Sequence, residues 1–388
     1  MAERSLIFPA VEFRRRCRAL QRAMAERGQD ALLLTAAADI YYVTGFLTRF
    51  WESPARPWFI VVPAEGDPVA VIPTIGADLM GRTWLTDIRT WDAPDPVDDG
   101  VTLLADTLAA LVPERGAVGL PMGLETSLRM PLADYHALIG KLTPRRMVDA
   151  TDTVQRVREI KSENEIAAIR RSCSIADAAF DTVPDFVGPG ITLDAVFRTF
   201  QAALLAQGAD WVSYTAGGAG QGGYGDVISP ADATPLRPGD VLMLDTGAVR
   251  DGYFCDFDRN WAIGRAADDA RRAHAVLFEA TETALRELRP GHLACDAHRV
   301  LTDAIATRGA TACGGRLGHG LGITLTEWPS FTPRDRTVLR EGMVLTLEPS
   351  VQIAPGRILV HEENVVLRAD GPELLSRRAP ADLPVIGA

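Results

Sequence analysis

The chain has 388 residues, 47% hydrophobic and 23% charged, with a formal net charge of -11. That apolar content excludes a disordered chain, and the acidic balance excludes nucleic acid or an anionic membrane as partner, since both need a cationic face. Five scattered cysteines without a C-x-x-C pair exclude a disulfide framework, and neither a signal-peptide core nor a membrane-length apolar run is present. A soluble, cytoplasmic protein is expected.

In chain order, Val11 to Arg27 spaces its apolar residues as a helix and stops at Gly28. Ala31-Leu-Leu-Leu-Thr35 reads as a buried strand. Trp58-Phe-Ile-Val-Val62 and Pro68-Val-Ala-Val-Ile-Pro73 read as two more, joined by the polar turn Ala64-Glu-Gly-Asp67. A helix from Leu103 to Leu111 precedes a short strand, Ala117-Val-Gly-Leu120. Strands alternating with helices imply an α/β domain, placed at residues 1–155. The charged run from Asp152 to Ile166 has helical spacing and is expected to lead into a long helix reaching Phe180, opening a second domain over residues 156–388. Further helices are predicted near Leu193 to Gln207 and Ala267 to Leu288, with strand-rich hairpins between and after them.

The later half contains a repeat. Leu236-Arg-Pro-Gly-Asp-Val-Leu-Met-Leu-Asp245 and Leu339-Arg-Glu-Gly-Met-Val-Leu-Thr-Leu-Glu348 share six identities in ten positions, and each ends in an acid after an apolar strand. Each is followed by a turn and by a second strand with more acids, Tyr253-Phe-Cys-Asp256 in one copy and Ile358-Leu-Val-His-Glu-Glu363 in the other. A duplicated hairpin with acids at matching places predicts a pseudo-twofold site between the copies. Carboxylates on apolar strands are costly to bury alone. Pairing with the many arginines is one solution; two divalent cations neutralising four carboxylates is a simpler one for a doubled pattern. His319, in Gly315-Arg-Leu-Gly-His-Gly-Leu-Gly322, is the candidate imidazole, because its flanking glycines allow close backbone approach.

Four segments, LDTGAVRDGYFCDFDR, GRLGHGLGITLTEWP, GMVLTLEP and VHEENVVL, stand in that order along the chain. Together they resemble the creatinase/prolidase/methionine aminopeptidase superfamily, the pita-bread metallohydrolases. Tyr42-Val-Thr-Gly-Phe46 and the strands around it are similar to the amino-terminal domain of the creatinase and aminopeptidase P branch. The resemblance implies an α/β amino-terminal domain followed by an α+β pita-bread domain with an internal pseudo-twofold repeat. It implies two divalent metal ions held by Asp245, Asp256, His319, Glu348 and Glu363, with Glu362 as the neighbouring alternative to Glu363. Glu363 is preferred because the family's ligand directly precedes an Asp or Asn, here Asn364; adjacent strand residues face opposite sides, so only one acid can point inward. An oxygen-rich set with one imidazole suits manganese, with iron, cobalt or zinc tolerated. Glu348 would take a proton from the attacking water.

Three positions depart from the peptide-cleaving members. Thr326 stands where they carry a histidine, the segment Trp211 to Tyr224 lacks another, and His361 stands two residues before Glu363, where proline-specific members have Arg. His361 is therefore expected on the inward face, either in proton transfer or substrate orientation, or bonded to a ligand carboxylate. Asp258 and Arg259 are expected to pair with each other near the site, with substrate contact as the alternative. The Gly217 to Gly225 segment reads as a loop closing over the pocket, with Tyr214 and Tyr224 as walls, and Thr326 and Trp328 join the substrate-facing set. The other histidines, His274 among them, are given surface or capping roles, and Phe50 and Trp51 either reach a partner subunit or pack in their own domain. The leading expectation is a homodimeric dinuclear hydrolase of a C–N, Xaa-Pro-like bond, acting on a dipeptide or other small molecule. The alternatives are a non-peptidase member acting on a small zwitterion (creatinase-like, or similar to dimethylsulfoniopropionate lyase) and a metal-free binding protein.

Overall fold

A computed structural model describes residues 6–52 and 57–387, and the chain divides into two compact units, Met1–Arg158 and Glu159–Ala388. The first is an α/β unit around a six-stranded sheet. Its strands are β1 (Ala31–Leu34), β2 (Phe59–Pro63), β3 (Val69–Pro73), β4 (Asp87–Trp91), β5 (Ala117–Leu120) and β6 (Arg146–Asp149), in the order β4-β3-β2-β1-β5-β6. β1, β2 and β3 pair antiparallel, and the remaining neighbours pair parallel. β1 is apolar throughout because both faces are covered. Leu33, Val61 and Val118 pack under Leu104, Leu108, Leu138 and Leu142 of the helices Val101–Leu111 and Leu132–Leu142. The helix Ala10–Glu26 buries a stripe of Phe13, Cys17, Leu20 and Met24.

Two expectations change here. β4 and the helix Leu132–Leu142 escaped notice because both are partly exposed and carry few apolar residues in register. The charged run forms two helices, Thr151–Arg158 and Glu163–Asp181, rather than one. The second starts afresh at a capping box, in which Ser162 and Glu165 satisfy each other's backbone N–H groups.

The second unit is α+β. One sheet runs β18-β10-β8-β7, with β9 on β8: β7 (Trp211–Gln221), β8 (Asp240–Arg250), β9 (Tyr253–Phe254), β10 (Phe257–Ile263) and β18 (Val385–Ile386). The other runs β12-β11-β13-β16-β17: β11 (His319–Gly320), β12 (Glu327–Ser330), β13 (Val344–Leu347), β16 (Glu363–Arg368) and β17 (Gly371–Leu374). Between β13 and β16 lies the hairpin β14 (Ser350–Ala354) and β15 (Arg357–Val360). The two copies of the repeat become β8 and β13, each an interior strand of its sheet. Each pairs antiparallel with the strand that returns, β10 or β16. Val241 and Met243 of β8, Leu345 and Leu347 of β13, and Val365 and Leu367 of β16 share one core. Leu277, Ala284, Leu301 and Ile305 of the helices Asp268–Glu287 and Ala294–Ala306 belong to it too.

The first part of the expected glycine-rich closing loop, residues 217–221, is instead the second half of β7, and residues 222–225 form the turn that follows it. Gly217 has φ +137°, and a Cβ there would stand 2.1 Å from the carbonyl oxygen of Met243. The glycines thus serve close strand pairing rather than mobility. Among the described residues no helix is long and apolar enough to cross a membrane.

Candidate metal centre

The symmetry of the two hairpins builds the site. Asp245 lies in β8 and Glu348 directly follows β13, while Asp256 directly precedes β10 and Glu362 directly precedes β16. His319 opens β11, beside β13. Ligand atoms of Asp256, His319 and Glu362, all three buried, lie within 4.8 Å of one another. His319 Nε2 is 3.2 Å from Asp256 Oδ2, and its Nδ1 is 2.8 Å from the carbonyl oxygen of Gly320. A carbonyl only accepts, so Nδ1 carries a proton and Nε2 is the ring nitrogen turned toward the acids. The hydroxyl of Tyr214 is shared between Asp245, at 3.0 Å, and Asp256. Its ring lies over Gly247, where a Cβ would meet it at 2.4 Å.

Electrostatically this is an unfinished cluster. Burial first, then the charges of Asp256, Glu348, Asp245 and Asp258, push the Glu362 carboxyl well above the ordinary carboxylate range. Burial, followed by Asp256, Asp258 and Glu348, does the same to Asp245, and burial raises Glu348. Glu348 Oε2 and Glu362 Oε1 are buried with no hydrogen-bond partner among the described residues. Buried, unpartnered carboxylate oxygens facing an imidazole nitrogen fit divalent cations, which supply the missing positive charge.

The preference for Glu363 is corrected: Glu362, not Glu363, joins the other acids. Alternation puts Glu362 on the side of Asn364, whose Oδ1 accepts the N–H of Asp256 at 3.0 Å. Glu363 shares its face with the core residues Val365 and Leu367. There it accepts from Arg259 Nη2 (3.1 Å), Arg378 Nη1 (3.1 Å), Ser376 Oγ (2.5 Å) and the N–H of Ala379 (2.8 Å). Burial opposes its ionisation, yet Arg259 and these donors hold it far below the usual carboxylate range. His361 goes with it. The ring stacks on His274 (5.8 Å) and Phe278 (6.5 Å), 3.0 Å from Arg378 Nη1, and does not reach the acid cluster. Counted from Glu362, the residue two places before is the apolar, buried Val360.

Other expectations are also revised. Tyr224 is a core residue rather than a wall; its hydroxyl donates to Asn260 Oδ1 (3.0 Å) and accepts from the N–H of Val360 (2.7 Å). Asp258 does not pair with the side chain of Arg259. Its carboxylate accepts from the N–H of Glu362 (2.8 Å) and from Asn260 Nδ2 (3.2 Å). His274 is buried against the carbonyl oxygen of Pro380 rather than exposed. Trp328 commits its indole N–H to Thr337 Oγ1 at 2.7 Å. Trp51 packs in its own domain against Phe46 and Trp58, and Phe50 is exposed.

Two features went unnoticed in the sequence. Lys161 Nζ pairs with Glu327 Oε2 at 3.0 Å, and Glu327 Oε1 accepts the N–H groups of Ile323 and Thr324. That buried pair pins the segment that carries Thr326. Arg316 Nη2 reaches Thr326 Oγ1 at 3.3 Å on the half-buried side of the cluster. A charged residue beside the GHG motif was legible; its direction was not.

Residues 167–369 match the model of metallopeptidase family M24, and residues 16–160 match the creatinase/prolidase N-terminal domain. The chain belongs to metallopeptidase family M24: it is a metal-dependent hydrolase of pita-bread fold, with divalent metal ions as cofactors. Among particular proteins, it is similar to the probable dipeptidase PepE of Mycobacterium tuberculosis, with 29% identity over 98% of both chains. It is also 28% identical to the Xaa-Pro dipeptidase of Pyrococcus horikoshii, over 91% of this chain and 94% of that one. The crystal structure of dipeptidase PepE from Mycobacterium ulcerans superposes with a TM-score of 0.84 at 26% identity, covering 98% of this chain and 100% of that one. The prolidase from Pyrococcus horikoshii gives a TM-score of 0.81 at 22% identity over 95% and 99%, a likeness of fold.

Proposed function

We propose that the protein is a dipeptidase of the Xaa-Pro type, in which Asp245, Asp256, His319, Glu348 and Glu362 hold two divalent cations, manganese by preference. The observation that carries this reading is the convergence of Asp256, His319 and Glu362 within 4.8 Å, beside the unpartnered oxygens of Glu348 and Glu362. When bound, the cations supply Lewis acidity that acidifies water and polarises the scissile carbonyl. The chain's own groups then do the rest. Glu348 takes the proton of the attacking water and passes it to the leaving nitrogen. Tyr214 fixes the orientation of Asp245 and Asp256 through its shared hydroxyl, and the Gly320 carbonyl orients the ring of His319.

Metal stoichiometry after chelator-free purification, together with hydrolysis of Xaa-Pro dipeptides, tests the proposal. Glu348→Gln is expected to lower kcat by about 10²–10⁴-fold while the cations stay bound. Near-wild-type turnover removes the role assigned to Glu348. Small betaines and guanidino compounds belong in the same screen, because Thr326 presents a hydroxyl where peptide-cleaving relatives place an imidazole. Turnover of those alone would move the substrate away from peptides.

A further inference from the structure

The cations around the centre differ in how they are committed. Arg259 pairs with Glu363, Arg378 with Glu363 and Glu282, and Lys161 with Glu327. Arg316 has no carboxylate within ion-pair distance among the described residues, and its one hydrogen bond is to a neutral hydroxyl, Thr326 Oγ1. The backbone holds it in place: the N–H of Glu348 donates to the carbonyl oxygen of Leu317 at 3.0 Å, and the N–H of His319 donates to Thr346 Oγ1 at 3.1 Å. Residues 316–319 therefore run alongside 346–348, which sets Arg316 next to Glu348. Its charge reaches that carboxyl and partly offsets the effect of burial there. Arg316, Thr326, Glu348 and Asp245 are all half-buried, so the guanidinium borders the side of the cluster that solvent enters.

Resting on the dipeptidase reading above, we propose that Arg316, with Thr326 beside it, anchors the free carboxylate of the substrate's C-terminal residue and so restricts the enzyme to dipeptides. A dipeptide's carboxylate is separated from its scissile nitrogen by a single Cα. Its anchor must border the group that serves that nitrogen, and Arg316 borders Glu348. The planar guanidinium offers a two-pronged donor matched to a carboxylate, which a hydroxyl or a lysine lacks. A positive group also favours an anion beside the carboxylates of Asp245, Asp256, Glu348 and Glu362. A longer peptide would present an uncharged amide at the guanidinium and lose this interaction.

The test compares Ala-Pro with its C-terminal amide on the manganese-loaded wild-type, Arg316→Ala and Arg316→Lys enzymes, with metal content measured for each. The wild type is expected to favour the free acid by about 10–100-fold in kcat/KM, the range of a hydrogen bond to a charged group. In Arg316→Ala that preference collapses toward unity, the loss falls on KM rather than on kcat, and Arg316→Lys recovers part of it. Calorimetric binding of L-proline against L-prolinamide gives a second readout, with the preference for proline lost in Arg316→Ala. An undiminished preference for the acid in Arg316→Ala overturns the proposal. An equal fall in kcat on both substrates also overturns it, by placing Arg316 at the reacting group. If the wild type hydrolyses neither compound, the dipeptidase reading fails, and the two binding curves alone decide the anchor.

Discussion

The two faces at the start of β16 hold neighbouring carboxylates in opposite states. Glu363 is buried and fully compensated, with two guanidiniums, a hydroxyl and a backbone N–H around it. Glu362, one residue earlier and also buried, lies beside Asp256 and His319, and keeps an oxygen with no hydrogen-bond partner among the described residues. The difference teaches how a protein separates scaffold from function at the closest possible spacing. One acid is given its counter-charge by the chain itself, so its strand is locked in register. The other is denied one, so that an external cation completes it.

The largest way to break this contrast is Glu363→Ala. It leaves the buried Arg259 without its nearest carboxylate and takes one of two carboxylates from the half-buried Arg378, and an unfolding free energy lower by about 3–5 kcal/mol is expected from denaturant titration. Next in size is the response to acid. Burial depresses the His361 imidazole to about 4 and lowers His274 below its ordinary 6.5. The unfolded chain therefore takes up these protons first, and the stability present above pH 6.5 is lost as pH falls from 6.5 toward 4. For His361 the loss amounts to ~3 kcal/mol at the acid end, and His361→Gln should flatten that part of the curve. The smallest effect has the opposite sign. Glu362→Gln removes one uncompensated carboxylate, and the metal-free protein should become more stable by about 1–2 kcal/mol while losing its stabilisation by manganese. If Glu362→Gln and Glu363→Gln shift the metal-free melting temperature in the same direction, the contrast between the two acids is wrong.

Much of the site was legible in the sequence because a duplicated strand with a terminal acid is a local pattern. Asp245 and Glu348 end the two copies, and His319 sits between glycines that mark close approach. The choice between Glu362 and Glu363 was not legible by the same means. Both faces of β16 are buried, so alternation says that the two acids diverge without saying which points inward. What decides it is remote in sequence: Arg259 lies on the other sheet's strand, and Ser376, Arg378 and Ala379 come after β17. The hairpin symmetry did contain the answer. Asp256 is the residue before β10 and Glu362 the residue before β16, but those strand starts are set by pairing with β8 and β13. The fold was legible where elements are buried on both faces, as in β1, β2 and β5. It was lost where they are half-exposed, as in β4, and where glycines in β7 imitate a loop.

The phenol of Tyr214 owes its place to an atom that is missing. Because position 247 has only hydrogen on its Cα, the aromatic ring can come close against it and hold its hydroxyl between two acids. Adding even a methyl group there would tilt the ring away and leave Asp245 and Asp256 free to swing. The smallest side chain in the strand is thus a geometric constraint on the chemistry, and a saturation library at residue 247 would be expected to return glycine alone among active clones.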